Sequence, residues 1–236
     1  MKFRFLKSRL LASGLAFGVI CGACSPVVFA DTTYVTGTVD HVEHKLPALH
    51  QAAEAGDLNE VKRLLASGAA IDGIADIYFN KCTPLIWAIV CEQTVIAKYL
   101  VDQGANVNKP NCDGRTPLIA AIVIDDADMV GYLLDHGARL DCKDNCGFTS
   151  LYYAIMRASN YNYEGGFAVL KYLVERGADV NLPGNKGHTP LWYAIVLDEP
   201  KIAQYLREHG AKEPDMPCGP GYEQCCFGYT YKKTSK

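Results

Sequence analysis

The chain has 236 residues, 49% of them hydrophobic and 21% charged, and its 23 Lys and Arg against 26 Asp and Glu give a formal charge of −3. That balance speaks against nucleic acid as a partner, because such binding rests on neutralising phosphates with a basic surface. The length is one domain's worth, and no apolar run reaches the roughly 20 residues that a membrane-spanning helix needs.

Residues 1–30 read as a secretory signal peptide: a basic start (Lys2, Arg4, Lys7, Arg9), an apolar stretch from Leu10 to Ile20, and a small-residue exit at Val28-Phe29-Ala30. The expectation is an exported chain, periplasmic or secreted, with no membrane insertion after cleavage. Lipid attachment at Cys24 is the minor alternative, since Gly22-Ala23-Cys24 offers small residues but Cys21 stands where an aliphatic residue is usual. Losing the four basic residues of this segment takes the formal charge from −3 to −7. Residues 31–45 are polar and Thr-rich, with Tyr34, Val35, Val39 and Val42, and read either as a short extended cap or as a disordered stretch. His41-Val42-Glu43-His44 is the nearest text to a metal site, but it lacks a third ligand and reads as a solvated segment.

From residue 46 the text repeats. Leu49, Leu85, Leu118, Leu151 and Leu191 lie 36, 33, 33 and 40 apart, and a Gly-Ala pair follows each at Gly68, Gly104, Gly137, Gly177 and Gly210. The third unit shows the logic. Thr116 suits the helix cap and Pro117 the first helical position, where its missing N–H has no partner to lose. Leu118, Ala121 and Ile122 then recur at helical spacing, and Gly137 suits a left-handed helix end. Each unit is thus expected to be two short helices and a turn. The pairs Leu64-Leu65, Tyr99-Leu100, Leu133-Leu134, Leu173-Val174 and Tyr205-Leu206 are expected in the core, and Ala52, Ala88, Ala121, Ala154 and Ala194 at the tight contacts. The first unit departs from Thr-Pro-Leu, as a polar cap should, and the fourth has Ser150 in place of Pro.

A period near 33 with Thr83-Pro84-Leu85, Thr116-Pro117-Leu118 and Thr189-Pro190-Leu191 resembles the ankyrin-repeat family over 46–212. The resemblance implies an all-α solenoid of five helix-turn-helix units, starting near 46, 82, 115, 148 and 188 and joined by hairpin loops. It also implies a binding module with a protein partner and no cofactor. By position, the family's concave partner face would include Trp87, Arg115, Phe148, Tyr153, Met156, Arg157, His188 and Tyr193. Packing between repeats explains the same aromatic recurrence.

Two departures stand out. Leu85 lies 17 positions after Gly68, against 14 in the other connections, so residues 73–81, with Ile77, Tyr78 and Phe79, form an enlarged hairpin that either meets a partner or folds back. The fourth unit carries seven extra residues between its helices, within 158–166; Tyr161 and Tyr163 among Asn, Ser and Gly read as a binding loop, with a solvated spacer as the plainer alternative.

The tail, 213–236, is rich in Cys, Pro and Gly and ends the repeat. Outside the signal segment the cysteines are Cys82, Cys91, Cys112, Cys142, Cys146, Cys218, Cys225 and Cys226. All eight are disulfide candidates, because an even count in an exported chain favours bridges. No nucleophile-elbow serine, Walker loop, paired-histidine zinc helix or Cys-x-x-Cys pair is present in the mature chain. The expectation is therefore an exported, non-enzymatic interaction module, such as an inhibitor or immunity protein that holds an exported toxin or enzyme in the cell envelope. A cysteine-based redox or metal-buffering protein, and a secreted effector that binds a host protein, are the alternatives.

Overall fold

Thr83, Thr116 and Thr189 each accept a hydrogen bond through the hydroxyl from the backbone N–H three residues on (Ile86, Ile119 and Trp192, at 3.3–3.4 Å), and a Pro follows each at the first helical position. These caps start the first helix of three repeating units. The structure, a computed structural model, describes residues 46–77 and 80–214. Residues 1–45, on which the expected signal peptide falls, the tail beyond Pro214 and the pair Tyr78-Phe79 lie outside the described residues.

The five units are α1 (Ala48–Ala55) with α2 (Leu58–Ala66), α3 (Pro84–Val90) with α4 (Thr94–Asp102), α5 (Pro117–Val123) with α6 (Ala127–Asp135), α7 (Ser150–Asn160) with α8 (Tyr163–Glu175), and α9 (Pro190–Val196) with α10 (Pro200–Glu208). The first helices pack in series, α1 on α3, α3 on α5, α5 on α7 and α7 on α9, and α2, α4, α6 and α8 form a parallel series behind them. The enlarged connection is an antiparallel hairpin of β1 (Ala75–Ile77) and β2 (Asn80–Cys82), with Ala75 opposite Cys82 and Ile77 opposite Asn80. No helix among the described residues is long and apolar enough to cross a membrane.

The Gly-Ala pairs have a common geometry. Gly68, Gly104, Gly137, Gly177 and Gly210 have φ between +86° and +94°. That left-handed step turns the N–H of the following Ala back onto the carbonyl five residues earlier, as in Ala138 to Leu133 O at 2.9 Å. Counting back from the same glycines gives the core register: Leu64, Leu100, Leu133, Leu173 and Leu206 are buried, four residues before each. The neighbours expected beside them, Leu65, Tyr99, Leu134, Val174 and Tyr205, are only partly buried. Successive residues on a helix point about 100° apart, so one member of each pair faces the stack squarely. Ala52, Ala88, Ala121, Ala154 and Ala194 are buried at the helix contacts.

The first unit lacks a side-chain cap because Pro47 occupies the place that Thr holds elsewhere. In the fourth, Thr149 makes no cap bond either, and Ser150, in the position of the usual Pro, donates instead to Leu140 O at 2.6 Å. Neighbouring units are laced by asparagines: Asn108 Nδ2 donates to Gly137 O and its Oδ1 accepts from Arg139 N, and Asn181 repeats the device with Gly210 O and Lys212 N.

The fourth unit corrects one expectation. Its extra residues do not form a loop: α7 has 11 residues and α8 has 13, where the other units have seven or eight and nine. Roughly one turn has been added to each helix, which preserves the face that meets the stack. Only Tyr161 and Asn162 remain as the turn.

Candidate partner-binding face

Aligned on the Thr caps, the last hairpin residue of units two to five is Cys82, Arg115, Phe148 and His188, and the matching helix position from unit one onward is Gln51, Trp87, Ala120, Tyr153 and Tyr193. These two rows run along the same side of the stack, where the first helices meet the hairpins.

In units four and five the rows are filled by interlocked rings. Phe148 stacks on Tyr152 with centroids 3.9 Å apart and planes 11° apart, Tyr193 meets the edge of Tyr152 at 4.7 Å, and His188 lies flat on Trp192 at 3.7 Å. Phe148, Tyr153 and Tyr193 are buried. Their recurrence is therefore used for packing between units. Desolvation holds His188 below the ordinary histidine value, and Lys186 adds to the effect.

Unit three is different. Arg115 is half-buried, and its Nε donates to the Tyr153 hydroxyl at 3.1 Å while its guanidinium lies 5.7 Å from that ring's centroid. Tyr153 in turn donates to Asp144 Oδ2 at 2.6 Å, and Asp144 Oδ1 accepts from the N–H groups of Cys146 and Phe148. Asp144 is buried and its charge is met by three donors, while burial raises the Tyr153 phenol well above its ordinary range. Because a carboxylate only accepts, the Tyr153 proton points at Asp144 and its lone pair at Arg115, so this arrangement aims the guanidinium. Trp87 is also half-buried, and its indole N–H has no acceptor.

The remaining predicted residues form a second group at the far ends of α7 and α8. Arg157 is buried, with Nη2 3.4 Å from Asp125 Oδ2 and its guanidinium 5.2 Å from the Tyr161 ring centroid, and Met156 is buried beside it in sequence. Asn162 also donates to Asp125, which ties the lengthened turn to the turn of unit three. Tyr161 is 45% exposed and Tyr163 half-buried. The ten residues thus divide between two places, one by the hairpins and one toward the turns; along the α7 axis, at 1.5 Å per residue, Arg157 lies about 6 Å beyond Tyr153.

The cysteines are spread through the stack. Cys82 and Cys91 are buried unbridged thiols, and burial pushes both up to about 12. Cys142 is a half-buried unbridged thiol. Cys112 is exposed and accepts from Lys81 N at 3.4 Å, and Cys146 is disulfide-bonded. Cys218, Cys225 and Cys226 lie outside the described residues. No group of three or more metal-ligating side chains occurs among the described residues.

Sequence reasoning passed over Asp144 and Asp125. A signal for Asp144 exists: it stands five residues before Thr149, as Asn111 stands five before Thr116, and both Oδ1 atoms accept from the N–H groups two and four residues on. A row of half-buried tyrosines, Tyr99, Tyr132, Tyr172 and Tyr205, each five residues before its Gly, was likewise legible only from an alignment on the glycines.

The sequence model described as ankyrin repeats (3 copies) matches residues 36–111, 104–183 and 141–216.

Proposed function

The chain belongs to the ankyrin-repeat family, and we propose on that footing that it is an exported, disulfide-stiffened inhibitor or immunity protein that holds an exported toxin or enzyme in the cell envelope. The repeats themselves make the chain a protein–protein interaction module, and proteins of this family are typically not enzymes. The basic, apolar and small-residue order of residues 1–30 supports export. One observation carries the binding reading: packing consumes most of the aromatic rows but leaves Trp87 and Arg115 half-buried in successive units, with the terminal nitrogens of Arg115 in no ion pair. Interfaces concentrate their energy in Trp, Tyr and Arg, so these two residues are the anchors of choice.

The exposed Cys112 is what favours a thiol-buffering protein instead. Two of the other cysteines, Cys82 and Cys91, argue against it, since buried thiols held near 12 carry almost no thiolate at neutral pH.

Affinity capture from a native envelope fraction tests the proposal. Wild type should retain a partner that Trp87→Ala plus Arg115→Ala loses. If that variant and Tyr161→Ala plus Tyr163→Ala both keep every captured protein, neither group is the contact and the reading fails.

A further inference from the structure

We propose that Arg115 is a built receptor for an acidic side chain of the partner, so that the face selects an extended peptide segment carrying Asp or Glu; this rests on the binding reading above. Two observations converge on it. Among the described residues the ion pairs of the stack use Arg63, His136, Arg157, Arg176 and Arg207, and Arg115 is in none of them. Its Nε is engaged by the Tyr153 hydroxyl, whose orientation Asp144 sets, so the two terminal nitrogens remain as a planar fork. Such a fork matches the two oxygens of a carboxylate, and the side chain has already given up much of the freedom it would otherwise lose on binding.

The surroundings suit a peptide. In the helix row, Ala120 stands between Trp87 in the unit before and Tyr153 in the unit after. The Ala120 side chain ends at Cβ, so no long helix-row residue in unit three stands beside Arg115 of the same unit. An acidic side chain would reach the fork while a neighbouring apolar one lies against the half-buried Trp87 ring.

The test is selection of a displayed library of short random peptides on the purified full chain, run in parallel on wild type, Arg115→Gln, Arg115→Glu and Trp87→Ala, with thermal melts confirming that each variant folds. Wild type should recover sequences enriched in Asp or Glu at one register position, Arg115→Gln should lose that enrichment, and Arg115→Glu should replace it with Lys or Arg. Changing the selected acid to its amide should weaken binding to wild type about tenfold or more and leave binding to Arg115→Gln unchanged. Acid enrichment that survives in Arg115→Gln, or an acid confined to the free C-terminal carboxylate and lost on amidation, overturns the proposal. Peptides that ignore Arg115 yet need Trp87 overturn it too, while leaving the binding reading intact. Recovery of no peptide that depends on either residue overturns both.

Discussion

Tyr153 has a single hydroxyl placed between two charges, and this makes it the most consequential polar group of the stack. Its removal in Tyr153→Phe leaves Asp144 Oδ2 without the hydrogen bond it now accepts at 2.6 Å. A buried acceptor left unsatisfied costs about 1–3 kcal/mol, and the urea midpoint of this variant should fall accordingly. His50 supplies a pH dependence. It is buried, its Nε2 lies 3.1 Å from Cys82 O, and burial lowers its pKa from the usual 6.5. The carbonyl requires the proton on Nε2, so protonating Nδ1 would place a charge where no acceptor waits. The unfolded chain therefore binds a proton that the folded chain resists. The stack should hold full stability above pH 6.5 and lose it as the pH falls from there through the lowered native value. Urea melts at descending pH should show that loss, and His50→Gln should flatten it. The cap threonines and the turn glycines could be read directly, because each acts on its own backbone. The part Tyr153 plays could not, since its partners come from two different hairpins.

The lengthened fourth unit shows how packing can overrule composition. Asn, Tyr and Gly in residues 158–166 carry turn propensity, yet all but Tyr161 and Asn162 are helical. A reason lies at Gly166, where an added methyl would come within 2.7 Å of Ala158 Cα. The absent side chain lets α7 and α8 approach closely at their far ends, and the burial of Ala158 and Gly166 that results outweighs glycine's cost in a helix. Gly166→Ala should destabilise the protein by about 1–3 kcal/mol in chemical melts, although the same exchange at an open helical site gains up to about 1 kcal/mol. The size of the insertion was plain from the spacing of the leucines and glycines. Its distribution over both helices was not, because a seven-residue excess gives no sign of where it is placed.

Each unit touches only its neighbours, so the cooperativity of the whole stack depends on the interfaces between units. Ala121 is fully buried in the middle unit, where α5 meets α3 and α7. Ala121→Leu should overpack that joint at a cost of about 1–3 kcal/mol and loosen the coupling between its two sides. The chain's two tryptophans report on those sides separately, Trp87 in the second unit and Trp192 in the fifth. Urea melts followed through single-tryptophan variants, Trp87→Phe and Trp192→Phe, should coincide in the parent background and separate when Ala121→Leu is added. Coincident curves with the extra mutation would show that the joint is not a coupling point.

Periodicity alone was enough to specify five helical pairs, the Thr caps of three of them, their Gly-ended turns and the family they belong to. Those features are local: a hydroxyl three residues from an N–H, a glycine free to take positive φ, an apolar stripe at helical spacing. Which aromatic residues are spent on the interior, and which side chains remain available to another molecule, depended on residues far apart in the chain meeting in space. Phe148 and Tyr193 vanish into ring stacking, and Arg115 is aimed by a hydroxyl 38 residues away. Spacing within one unit carries no record of what its neighbours cover, so the stack had to be assembled before its open face could be told from its core.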